Sequence, residues 1–213
     1  DADPKPRTVV SVVTADPDRV AALAMRLRGR AIDLLDAPLS GSSAQIGAGV
    51  APMFVGGPQA AVTLEKPLLD ALADRWTQVG AAGMGARAKL VTNLVLGLNR
   101  AVLAEGIVFA ESMGLDRAVA LDLIANSRAY SKAVDSKGER FVTDDFSNPE
   151  AWLHQHAKDV KLMLELAQAH GQGLPFSRTH LALLEAGIAS GEGELDNGAV
   201  IRAIRRSVPE AKP

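Results

Sequence analysis

The chain has 213 residues, 47% hydrophobic and 23% charged, enough to bury one generous core or two modest ones. Its 23 basic and 25 acidic residues leave a net charge of -2 with no Lys/Arg run, so charge gives no reason to expect nucleic acid or an anionic membrane as partner. There is no cysteine, which excludes a disulfide framework and a thiolate metal site and favours a cytoplasmic setting; no apolar stretch is read as reaching the roughly 18 residues of a membrane span.

The first elements alternate between strand and helix. "TVVSVV" at residues 8 to 13 is a β-branched run without helical period and predicts a buried strand, reached so soon after Asp1 that the chain reads as entered part-way through a fold. Asp16 is placed to cap a helix with Pro17 in its first turn, and Val20, Leu23, Ala24 and Leu27 recur on one face before Gly29. "AIDLLDAPLSGSS" then reads as a second strand ending in a Pro/Ser/Gly loop. Strand, helix, strand makes a βαβ unit with parallel strands. "APMFVGG" and "WTQVG" add two strand candidates around a helical stretch interrupted at Pro67.

After Gly85 the strands stop. "ARAKLVTNLVLGLNRAVLAEGIVFAESMG" runs without proline and is apolar around most of its circumference, which predicts one long central helix. Shorter helical patterns follow at Asp116 to Asn126, Pro149 to His170, Ser177 to Ser190 and Asp196 to Arg206. The predicted domains are therefore 1–84, an α/β segment, and 85–213, mainly α.

Gly83-Met84-Gly85-Ala86-Arg87-Ala88 fits the G-x-G-x-x-G/A pattern of a dinucleotide loop. The context speaks against that role. A dinucleotide loop needs a second strand after its helix and an acidic residue at that strand's end, whereas Glu105, at about the right distance, falls inside the long helix. The glycines read instead as the junction between domains.

Lys89 and Asn93, spaced i, i+4, project from one face of the long helix, and Gly97 leaves a gap one turn further on. Desolvation and the positive end of the helix dipole would both lower the lysine pKa towards the range of proton transfer. Two readings stay open: a proton-transfer site, or a solvated lysine at a frayed helix start. Ser40-Gly41-Ser42-Ser43 likewise reads as an anion nest suited to a carboxylate, or as an ordinary turn. His154 and His156 point to different faces and His170 and His180 are scattered, so no metal site is expected.

"LDAPLSG", "MFVGG", "GAAGMGARAKLVTNLVLGLNRAVLAEGIVFAESMGLD", "LHQHAKDVKLMLELAQAHGQGLPF" and "GEGELDNGAVIRAI" occur in the order and at the intervals of the β-hydroxyacid dehydrogenase family. The chain resembles that family, which includes 3-hydroxyisobutyrate dehydrogenases and tartronate semialdehyde reductases, from about Val9 to Ile204. The resemblance implies a fold: the C-terminal strands and helices of a Rossmann-type domain, an α/β remnant, followed by a mainly-α dimerisation domain built on one long helix. It also implies an NAD or NADP cofactor whose main binding loop lies upstream of Asp1, a small carboxylate substrate, and a homodimer or higher homo-oligomer.

Residue by residue, the resemblance makes Lys89 the general acid/base and Asn93 a substrate-holding group. Ser40, Gly41 and Ser42 match the loop for the substrate carboxylate, although the family more often has Gly-Gly where this chain has Gly41-Ser42. Thr14, Lys158 and Asp159 match positions at the nicotinamide end of the cofactor, although the helical neighbours of Lys158 alone would make it a solvated lysine. A noncatalytic helical dimerisation module or truncated fragment without cofactor binding, and an imine reductase-like enzyme, are the alternatives; Lys89 argues against the imine reductase.

Overall fold

A computed structural model describes residues 7–207. The chain divides into two compact units, Asp1–Asn93 and Leu94–Pro213, and the division falls inside one helix. In the first unit, β1 (Arg7–Ser11), α1 (Pro17–Arg28) and β2 (Ile32–Asp36) form the predicted βαβ unit. β1 and β2 pair in parallel from Arg7↔Ile32 to Ser11↔Asp36. Asp16 caps α1 by accepting from the N–H groups of Asp18 and Arg19 at 2.9 and 3.3 Å, a contact typically worth about 1 kcal/mol. Val20 of that helix packs on Leu34 and Ala86, with Ala15, Ala24 and Leu27 around them.

Composition predicts only a turn after β2. The structure adds α2 (Ser43–Gly47) there, because Ser42 and Gln45 satisfy each other's backbone N–H groups in a capping box. β3 (Met53–Gly56) and β4 (Trp76–Gly80) then pair in parallel, with α3 (Gln59–Leu64) and α4 (Lys66–Leu72) between them. The two helices part at Glu65 because Pro67, which has no N–H to donate, fits the first turn of a new helix. β2 meets β3 at a single antiparallel pair, Asp36↔Gly56, giving the order β1-β2-β3-β4. Leu35, Met53 and Val55 of this sheet are buried with Val62 and Leu69 of the helices.

The proline-free run forms α5 (Met84–Ser112), 29 residues long. It corrects one sequence expectation: among the described residues it is a helix long and apolar enough to cross a membrane. Thr92, Asn93 and Asn99 interrupt its run of apolar letters, yet an 18-residue stretch of the helix still has a mean hydropathy of 1.4. Its Leu103, Ala104 and Ile107 nevertheless enter the core of the second unit.

The second unit continues with α6 (Arg117–Ala125), capped by Asp116, then α7 (Lys132–Thr143), α8 (Leu153–Ala169), α9 (Pro175–Ala189), a 3-10 turn at Asn197–Ala199 and α10 (Val200–Arg206). Phe141, Phe146, Leu153, Leu184 and Ile201 are fully buried at its centre. Periodicity misses α7 because two of its inward positions do not look apolar. Gly138 lies under Leu121, whose Cδ1 would be 2.7 Å from a Cβ placed there. Lys137 is buried and donates to Asp196 at 2.8 Å and to Glu150 at 3.0 Å.

Burial pushes the Asp196 carboxyl up, but the Lys137 ammonium and the N–H groups of Gly198 and Glu150 outweigh it and hold the group below the usual range. A carboxylate depressed in the fold contributes stability that is present above its unfolded pKa of about 4 and is lost as pH falls through its folded value. Asp196→Asn should therefore cost about 3 to 5 kcal/mol at pH 7, because Lys137 is left buried without its closest counter-charge. Urea unfolding at pH 7 and pH 3 measures this: the gap between wild type and variant should shrink at the lower pH.

Candidate active site

The strand β2 ends on Asp36, whose buried carboxylate reaches the start of α5. One oxygen accepts from the Gly83 N–H at 2.9 Å and the other from the Ala86 N–H at 2.7 Å. A helix start leaves such donors without intrahelical partners, and here a residue 47 positions away satisfies two of them. The carboxylate also opposes the positive end of the helix dipole. Burial dominates and raises the Asp36 carboxyl above its ordinary range; the N–H groups of Ala86, Gly83 and Gly85 offset only part of that rise.

This contact explains the glycines of "GMGARA". Gly83 adopts φ +95°, a left-handed conformation that L side chains rarely take. A Cβ on Gly85 would overlap the carbonyl oxygens of Asp36 and Phe54, so only glycine lets the helix start lie on the ends of β2 and β3. The donors that a pyrophosphate loop would offer are committed to Asp36. The pattern imitates a dinucleotide loop while doing the work of close packing.

Lys89 follows Ala86 by three residues and is 9% exposed, so the frayed, solvated reading does not describe it. Asn93, one turn further along α5, is half-buried. The loop leading from Asp36 runs through buried Ala37 and Pro38 to Ser40, whose N–H donates to the Pro52 carbonyl at 2.8 Å. Asp36 thus fastens together the strand that carries the Ser40 loop and the helix that carries Lys89 and Asn93. Gly41 is exposed. Both polar groups of Ser42 are engaged: its N–H donates to the Gln45 Oε1 at 2.9 Å and its Oγ accepts from the Gln45 N–H at 3.3 Å. Thr14, half-buried, lies in the loop between β1 and α1.

In the second unit, Lys158 is on α8 with its side chain 71% exposed and its Nζ 3.7 Å from the Asp159 Oδ1. The gap left by Gly97 is filled. The His156 and His180 rings meet with centroids 5.1 Å apart, and a Cβ on Gly97 would come 2.5 Å from the His156 Nε2. Two histidines that sequence scatters are therefore neighbours, because α8 and α9 pack side by side on this stretch of α5. Burial and the Arg100 charge hold both rings below the usual histidine range, His180 at about 4, so they are neutral at pH 7. Among the described residues, no group of three or more His, Asp or Glu side chains is arranged to hold a metal ion.

Sequence reasoning missed Asp36 and Gln45. Asp36 lay inside "LDAPLSG" as an unremarked strand end, and a separation of 47 residues carries no local signal. Gln45 had one: Ser followed three residues later by Gln is the capping-box pattern.

Two family models match the chain. One describes the NAD-binding of NADP-dependent 3-hydroxyisobutyrate dehydrogenase and covers residues 83–204; the other describes the NAD binding domain of 6-phosphogluconate dehydrogenase and covers residues 4–80. The chain is 30% identical over 200 residues to 2-hydroxy-3-oxopropionate reductase of Escherichia coli, an alignment covering 94% of this chain and 68% of that protein. It is 32% identical to 2-(hydroxymethyl)glutarate dehydrogenase of Eubacterium barkeri, covering 91% and 64%. The crystal structure of 3-hydroxyisobutyrate dehydrogenase from Salmonella typhimurium superposes with a TM-score of 0.85 at 26% identity, covering 92% of this chain and 68% of the other. The chain spans about two thirds of the length of these relatives. The small four-stranded sheet, the long helix and the helices behind it are the fold of those dehydrogenases, and the chain belongs to the β-hydroxyacid dehydrogenase family of NAD(P)-dependent oxidoreductases.

Proposed function

We propose that the protein interconverts a small β-hydroxy acid and its semialdehyde with NAD or NADP, using Lys89 as the acid/base group. The observation that carries this reading is a buried lysine set one turn beyond a helix start that Asp36 fastens to the strand of the Ser40 loop. Such an arrangement holds a proton-transfer group and a carboxylate-binding loop on one rigid frame, which reaction of a short bifunctional substrate requires.

The nicotinamide end of the cofactor suits the first unit. Thr14 follows the carboxyl end of β1, the edge of an open α/β sheet where nucleotides bind, and the neighbouring Val12 and Val13 are 43% and 61% exposed, as a flat apolar ring needs. We read this unit as the part of a Rossmann-type domain that carries the substrate loop. Lys158 and Asp159 keep the cofactor roles that the family resemblance gives them. NAD(P), when bound, supplies or accepts the hydride at the carbinol carbon. Lys89 Nζ delivers a proton to the carbonyl oxygen in reduction, and as the neutral amine removes the hydroxyl proton in oxidation. Asn93 orients the same oxygen, and the Ser40 hydroxyl and Gly41 N–H receive the carboxylate.

Assembly is proposed through the second unit. Val95, Val102 and Phe109 recur along one stripe of α5, Met113 follows directly after its end, and the four are between 52% and 67% exposed. A row of large exposed apolar side chains along a helix is placed for a second copy of the same helix. The setting we assign is the cytoplasm, in keeping with a chain that has no cysteine.

Replacing Lys89 by Ala in the intact protein should lower kcat by about 10²- to 10⁴-fold while leaving NADPH or NADH affinity, read by fluorescence titration, nearly unchanged. Turnover close to wild type would remove Lys89 from the mechanism. Val102→Glu should shift the protein to a smaller species in sedimentation velocity at micromolar concentration; an unchanged distribution would place the self-association surface elsewhere.

A further inference from the structure

We propose that Gln45 is a specificity-determining residue of the substrate loop: its carboxamide oxygen holds an N–H that would otherwise serve the substrate carboxylate. The proposal rests on the carboxylate-binding role given above to Ser40, Gly41 and Ser42.

The loop offers few donors. The Ser40 N–H is spent on the Pro52 carbonyl at 2.8 Å, which pins the loop to the chain entering β3. The Ser42 N–H is spent on the Gln45 Oε1 at 2.9 Å, and the Ser42 Oγ accepts from the Gln45 N–H. Among the described residues, the Gly41 N–H and the Ser40 hydroxyl make no hydrogen bond within the chain, and these two remain for an incoming anion. Gln45 also lies against the middle of the loop, since a Cβ on Gly41 would come 3.0 Å from its Oε1 and 3.1 Å from its own Cβ.

A carboxamide oxygen and a carboxylate oxygen are chemically alike as acceptors for one N–H. Gln45 therefore stands where one oxygen of the substrate carboxylate would bind, and it is tethered by three residues of chain. The carboxylate meets a loop with two donors in place of three, or it displaces Gln45 and loses the energy of the capping box. Either route weakens carboxylate binding relative to a loop without that side chain, and leaves the reacting carbon, held at Lys89 and Asn93, untouched. The effect belongs in KM and falls on substrates that carry the carboxylate.

The test uses the intact protein with 2-hydroxy-3-oxopropionate, 3-hydroxyisobutyrate and L-threonate as probes, each measured beside its methyl ester. Gln45→Ala should lower KM for the best carboxylate by about 3- to 10-fold, the worth of one recovered hydrogen bond to an anion less the lost cap, with kcat within about twofold and the ester KM unchanged. Gln45→Glu keeps the acceptor and adds a negative charge, and should raise the carboxylate KM about tenfold or more while sparing the ester. Equal effects on acid and ester, or a carboxylate KM that does not fall in Gln45→Ala, would overturn the assignment of Gln45. Ser40→Ala separates this from failure of the loop itself: if it leaves the carboxylate KM unchanged, the loop does not bind the carboxylate and both readings fall together.

Discussion

Two hydrogen bonds from the head of α5 to the carboxylate of Asp36 hold the proposed site together. Each partner would be in difficulty alone. The helix begins with donors that have no intrahelical acceptors, and the carboxylate ends a strand in an apolar interior where ionisation is disfavoured. Joined, the donors gain an acceptor and the carboxylate regains part of what burial costs it, at a place where a strand end, a loop of hydroxyl and amide donors, and a buried lysine lie on neighbouring elements. Gly56 and Gly85 follow from this contact, because a Cβ on either would overlap Asp36, and Gly83 is held by its left-handed φ and by the Pro17 carbonyl beside it.

The chain's regular elements were legible because their signals are local. Asp16-Pro17 announces a helix start, Gly29 its end, and a proline-free apolar run of nearly thirty residues can only be one long helix. What escaped was decided by distant partners. Lys137 looks like a solvent-facing lysine until Asp196, 59 residues later, is brought under it, and Gly138 looks like a helix breaker until Leu121 packs across it. The membrane-span length of α5 escaped for a different reason: polar residues interrupt the run of letters but leave one 18-residue stretch of the helix apolar on average.

The site was legible in part. Lys89 and Asn93 stand out because an ammonium and a carboxamide at i, i+4 are unusual on an apolar helix, and the structure buries the lysine as that oddity suggests. Gly97 was read as opening a slot on the helix, and the His156 ring fills it. The glycine pattern before Lys89 shows how one motif serves two ends: close backbone approach is what a pyrophosphate demands and also what a helix docked on strand ends demands. Where the neighbouring N–H groups point decides between them, and that is a property of the fold. Family resemblance supplied the roles of Thr14, Lys158 and Asp159, which the residues by themselves do not declare.

In the proposed mechanism, Asp36 makes one working site of the Ser40 loop and the Lys89 helix. Asp36→Asn tests it most directly, since the carboxamide keeps the shape and turns an acceptor into an NH₂ group facing a backbone N–H. The variant's kcat/KM should be lower by about 10²-fold at a temperature where circular dichroism shows it fully folded, as a small misplacement of the acid/base group would produce. A folded Asp36→Asn protein with wild-type kcat/KM would contradict that mechanism.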